Sequence, residues 1–134
     1  MVEIVLFPDV EELVVGYLTA RLTERGDDTL VTRSPPESPP GRMVRVRSAW
    51  GEDRGRALSS RFVTIQCTDE TPSGAAELTE LCFAILRSSW NDPSVPRIRD
   101  AVLADRPDDR LPDPDPYVPN YQFTLSILLR GQAQ

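Results

Sequence analysis

The stretch RFVTIQCTDETPSGAAELTELCFAIL, Arg61–Leu86, changes period in its middle. From Arg61 to Cys67, Phe62, Thr64 and Gln66 alternate with Val63, Ile65 and Cys67, the two-residue period of a strand with one apolar face. From Ala75 onward the apolar residues Leu78, Leu81, Cys82, Ile85 and Leu86 follow the three-and-four spacing of a helix that buries one side. Between the two, Thr71 or Asp69 can accept from the first free helical amides, and Pro72 falls in the first turn, where a missing N–H costs nothing. The reading is a strand delivered into a core-facing helix.

Upstream, Met43–Ala49 alternates as well, with Met43, Arg45 and Arg47 on one side and Val44, Val46 and Ser48 on the other. It pairs naturally with the strand at Arg61, and WGEDRGR, Trp50–Arg56, with two glycines and four charges, is expected to form the hairpin tip. Thr29–Arg33 is β-rich, and SPPESPPG, Ser34–Gly41, follows as a loop because its prolines deny a ladder its donors. Nearer the N-terminus, Val10, Leu13, Val14, Tyr17, Leu18 and Leu22 form a helical stripe, with Asp9 as N-cap and Gly26 as the C-terminal stop. Val2–Phe7 is a short apolar lead-in or strand.

Downstream, Val95–Leu103 is expected as a strand in which Val95, Arg97, Arg99, Ala101 and Leu103 alternate with Ile98, Asp100 and Val102. The proline- and aspartate-rich stretch Ala104–Asn120 favours extended, polyproline-like geometry. Tyr121–Leu129 closes the chain with Tyr121, Phe123, Leu125, Ile127 and Leu129 on one face. The expected fold is therefore a single α+β domain over residues 1–134, with two helices packed on one face of a mostly antiparallel sheet of four to five strands. The other face, carrying Arg45, Arg47, Gln122, Thr124 and Ser126, is left open.

Composition argues against several function classes. The 134-residue chain has a net charge of −6, no His, and fifteen cationic residues, all of them Arg. A general nucleic-acid binder needs a basic face to displace counterions from phosphates. Without His or Lys, the common routes to general base catalysis and to an activated Ser or Cys are closed, leaving carboxylates and tyrosines. Asp108, Asp109, Asp113 and Asp115 could in principle hold a hard cation, but the flanking prolines and the lack of a sharp glycine turn oppose a calcium loop. The two cysteines, Cys67 and Cys82, suit neither a disulfide framework nor a zinc site and read as small buried apolar groups. No glycine pattern matches a phosphate cradle. The reading is not an enzyme and without cofactor or metal. No apolar run reaches the ~18 residues of a membrane span, and the N-terminus lacks the basic region of a signal peptide.

Three segments, VLFPDVEELVVGYLTARL, RFVTIQCTDET with the following SGAAELTELC, and LPDPDPYVPNYQFTLSILLRG, resemble the tail terminator proteins of long-tailed actinobacteriophages, also called head-to-tail joining or tail completion proteins. The resemblance runs in order along nearly the whole chain, and the insert SPPESPPG departs from it. It implies a structural virion protein, assembled in the host cytoplasm, that forms a hexameric ring. Such a ring caps the tail tube, ends tube polymerisation and meets the head-tail connector or stopper, while DNA passes through its lumen without being read. Another neck component of related fold is the alternative, and a small carboxylate-dependent metal binder a more distant one. On this basis Leu111, Pro112, Asp113, Pro114, Asp115 and Tyr117 form a stiff arm to the next subunit, with Arg45 and Arg47 as further interface candidates. Trp50, Arg54 and Arg56 are the candidate contact to tube or connector.

Overall fold

The computed structural model describes residues 2–109 and 118–134. In chain order the elements are β1 (Val5–Leu6), α1 (Val10–Glu24), β2 (Leu30–Thr32), β3 (Met43–Arg54), β4 (Leu58–Thr68), α2 (Pro72–Arg87), a 3-10 turn at Ser89–Asn91, β5 (Ile98–Asp109), β6 (Asn120–Arg130) and β7 (Gln132–Ala133). The main sheet has the order β2-β3-β4-β6-β5, and β1 pairs with β7 in a separate two-stranded ribbon. Every pairing is antiparallel except that of β2 with β3. The expected α+β fold is the one observed.

Helix α1 starts where Asp9 Oδ1 accepts from the amides of Glu11 and Glu12. It stops at Gly26, whose φ of 76° needs no Cβ penalty. Two bonds close this end, Gly26 N–H to the Thr23 carbonyl and Asp27 N–H to that of Leu22, the pairing that satisfies the last free carbonyls. Helix α2 is capped by Thr71, whose hydroxyl accepts from Gly74 N–H at 3.0 Å, so Thr71 rather than Asp69 fills that role.

Both helices cover the sheet face formed by Val44, Val46, Val63, Ile65, Cys67, Phe123, Leu125, Ile127 and Leu129, all within one buried cluster. Helix α1 lies against β2 and β3, whereas α2 lies against β4, β6 and β5. Because β6 sits between β4 and β5, the β4-α2-β5 segment is a split crossover, with the last strand inserted into the gap. Phe83 of α2 meets Phe123 edge to face with ring centroids 5.4 Å apart, locking helix to central strand. Cys67 and Cys82 are free and fully buried. A hydrogen bond with Cys67, together with burial, pushes the Cys82 thiol up.

Three expectations are corrected. Trp50–Arg56 is not the hairpin tip: β3 continues through Arg54 past an irregularity between Trp50 and Asp53, and the turn is Gly55–Ala57. The two glycines of WGEDRGR do different things. Gly55 turns the chain at a φ of 72°. Gly51 lets the strands close up, because a Cβ there would stand 2.5 Å from Ser60 Oγ and 2.7 Å from the Ser60 carbonyl oxygen. The Ser60 hydroxyl in turn accepts from Glu52 N–H and donates to the Glu52 carbonyl, standing in for ladder bonds across the bulge.

Second, the strand expected at Val95–Leu103 begins at Ile98, and it does not alternate simply. Its register slips between Ile98 and Asp100, so Ile98 and Ala101, three residues apart, are both buried. Third, the extended stretch expected from Ala104 belongs to β5 as far as Asp109, with Asp105 opposite Thr124 and Asp109 opposite Gln122. Pro107 is tolerated because β5 is an edge strand. The arm residues Leu111, Pro112, Asp113, Pro114, Asp115 and Tyr117 lie outside the described residues.

Candidate interaction surfaces

The sheet face turned away from the helices is built from rows set by strand register. One row runs Arg45–Gln66–Gln122, the next Arg47–Thr64–Thr124, and a third Ala49–Phe62–Ser126–Val102. Thr64 and Thr124 share a hydrogen bond of 2.8 Å. The third row is the apolar one, with Phe62 41% and Val102 52% exposed. Arg45 is half-buried and Arg47 exposed, so the structure places both on this face. The buried Arg45 Nε and Gln122 Oε1 have no hydrogen-bond partner among the described residues.

The candidates Trp50, Arg54 and Arg56 do not form one cluster. Arg54 ends β3 and Arg56 lies in the turn, while Trp50 is four residues back along the strand, about 13 Å at strand rise. Trp50 is opposite Arg61 and therefore on the helix-bearing side, beyond the end of α1. Trp50 is 78% exposed, and the Arg61 guanidinium lies over its ring, 3.9 Å from the centroid. Phe7 approaches the same guanidinium at 5.5 Å. Arg61 is thus a site residue that the strand pattern passed over. The signal was present: Arg61 falls on the inward side of a strand that continues with Val63, Ile65 and Cys67.

Around this stack lies a pocket of about 380 Å³ lined by Phe7, Pro8, Asp9, Val10, Ser48, Ala49, Trp50 and Arg61. The acidic groups beside it are already engaged. Asp9 Oδ2 accepts from Arg33 Nη1 at 2.9 Å, and this bond and the amides of α1 hold its carboxyl below the usual range. Glu11 accepts from the Ser48 amide and hydroxyl and pairs with Arg33 Nε at 3.2 Å.

A shallower groove of about 590 Å³ follows α1 past Leu13, Gly16, Tyr17 and Ala20 to Val95. At its edge the Tyr17 hydroxyl donates to Asp92 Oδ2 at 2.8 Å. Burial first, and the neighbouring Asp92 next, push the Tyr17 hydroxyl up to about 12, so it remains protonated and acts as a donor near neutral pH. Among the described residues no group of three or more Asp, Glu or Cys side chains is gathered to hold a metal ion, and no helix is long and apolar enough to cross a membrane. Compared with protein-family models and with curated proteins, the chain matches none.

Proposed function

We propose that the protein is a structural subunit that assembles with copies of itself into a closed ring at the head-tail joint of a phage, capping the tail tube and receiving the connector. The observation carrying this reading is the open sheet face, where an exposed apolar row, Ala49–Phe62–Ser126–Val102, lies beside Arg47, Thr64 and Thr124. A face of this make-up is suited to a repeated contact between protomers, apolar at its centre and polar at its margin. The resemblance of LPDPDPYVPNYQFTLSILLRG to tail terminators supplies the biological setting. Leu111–Asn120 is the proposed arm, a proline-stiffened segment that loses little conformational entropy when it meets the next subunit. A head-to-tail contact closes into a ring only if each subunit repeats the same rotation, which a stiff connector helps to fix.

Light scattering tests the assembly directly. The expected result is a hexamer, or a monomer that becomes a hexamer as concentration rises; a monomer at every concentration overturns the reading. Deletion of Asp113–Tyr117 should leave folded monomers, whereas undiminished ring formation would remove the arm from the contact. Virions made without the protein should carry overlong tails that never join heads. Tails of normal length would instead favour another neck component.

A further inference from the structure

We propose that the pocket floored by Arg61 and walled by Trp50, Phe7 and Val10 binds a peptide carboxylate, and that its occupant is the Asp-Pro stretch Leu111–Tyr117 of a second copy. The part concerning the second copy rests on the ring reading above; the carboxylate pocket does not.

Arg61 is only 8% exposed, and a cation withdrawn this far from water needs a counter-charge or a full set of acceptors. It has neither among the described residues. Its Nη1 donates to Ser59 Oγ and to the Ser60 carbonyl, while Nε and Nη2 make no hydrogen bond among the described residues and keep some contact with solvent. None of the observed ion pairs includes it. Asp53 comes nearest through an intermediary, accepting from the same Ser59 hydroxyl at 2.7 Å. Asp9 and Glu11, on the pocket side, are held by Arg33, by Ser48 and by the amides of α1.

The geometry selects the ligand. With Trp50 stacked on the guanidinium and Phe7 close by, the flat cation keeps its edge for acceptors, and a carboxylate is the group whose two oxygens match two N–H bonds of that fork. The rest of the lining is mixed: Phe7, Pro8, Val10, Ala49 and Trp50 are apolar or aromatic, while Asp9, paired with Arg33, and Ser48, bonded to Glu11, are polar. Extended proline-rich peptides dock on such surfaces because their backbone is stiff beforehand. This chain carries a peptide of that chemistry in LPDPDPY, where Asp113 and Asp115 are each flanked by prolines. The net charge of −6 leaves the chain with acidic segments in excess, and an Arg without an ion-pair partner is a natural receptor for one of them.

The probe is a synthetic peptide with the sequence of residues 111–120, LPDPDPYVPN, beside its LPNPNPYVPN counterpart. The full-length protein carries Trp90→Phe so that Trp50 alone reports by fluorescence. The aspartate peptide should produce a saturable change, with the asparagine peptide at least tenfold weaker and inorganic phosphate without comparable effect. Trp50→Ala removes an exposed ring and should keep the fold by circular dichroism; isothermal titration of that variant should show binding at least tenfold weaker. Arg61→Lys retains charge but not the fork and should weaken binding similarly. Equal binding of the two peptides, no saturable signal, or phosphate binding as tightly as the aspartate peptide would overturn the proposal. Peptide binding by a protein that scatters as a monomer at every concentration would sustain the carboxylate pocket and overturn the second copy as its source. If the unaltered protein assembles but the protein lacking Asp113–Tyr117, with no arm to fill the pocket, fails to bind the peptide, the pocket is overturned and the ring remains.

Discussion

Arg42 shows how one side chain can hold a loop that the sequence leaves unsupported. Its Nε donates to Thr29 Oγ1 at 2.7 Å, Nη1 to Asp69 at 2.9 Å and Nη2 to Asp27 at 2.8 Å. It therefore ties the end of the SPPESPPG crossover to the turn after α1 and to the end of β4. Arg42→Met should cost about 1–2 kcal/mol in urea unfolding, at the modest end because the side chain is 36% exposed and partly screened by water. Burial raises the Asp27 carboxyl, but the bonds from Thr29 and Arg42 outweigh this and hold it below 3.8. A carboxyl with a depressed folded-state value binds fewer protons folded than unfolded, so its stabilisation is present above 3.8 and fades as pH falls through the depressed value. The loss of urea midpoint between pH 5 and pH 2.5 should be smaller in Asp27→Asn than in the unaltered protein. Neither Arg42 nor Arg61 was legible as a keystone, because strand periodicity assigns an Arg to a face without naming its partner.

Among the elements, α1, β4 and β6 could be read from sequence because each has a regular period and a clear start. Asp9, Gly26 and the apolar row Phe123–Leu125–Ile127–Leu129 all stand where the pattern puts them. What pattern could not supply was the length of β3 and the phase of β5, since each strand contains a register shift that breaks the two-residue period. In β3 that irregularity depends on a missing side chain. Gly51→Ala should cost roughly 1–3 kcal/mol through overpacking against the Ser60 backbone, read as a lower urea midpoint. Thr71→Ala, which removes the cap of α2, should cost about 1 kcal/mol with little change in the amide spectrum of the hairpin. If Gly51→Ala were as stable as the unaltered protein, the close crossing of β3 and β4 at Ser60 would be wrong.

For the molecule as a whole, two kinds of contact are proposed, and salt separates them. The open sheet face centres on Phe62 and Val102, uncharged and exposed, whereas the Arg61 pocket would act through charge. At 1 M salt the screening length falls to about 3 Å, so assembly driven by the sheet face should persist while affinity for the aspartate peptide falls. Phe62→Glu should give a folded monomer by light scattering; a hexamer in that variant would move the contact off this face. The fold class was legible because it follows from the faces the elements bury. The pocket was not, because it forms only when Phe7, Trp50 and Arg61, distant in sequence, are brought together.

The ribbon of β1 and β7 has a bearing on that convergence. Phe7 follows directly after Leu6, and the chain just before it is anchored by the pairs Val5 with Ala133 and Leu6 with Gln132 and by the bond from Gln134 N–H to the Ile4 carbonyl. Arg97 adds a clasp, donating to the Arg130 carbonyl, to Gln132 and to the Leu6 carbonyl. One wall of the Arg61 cavity thus hangs from a hinge-pin at the far end of the polypeptide, so loosening the last few residues should let Phe7 swing aside and leave the guanidinium open to bulk water.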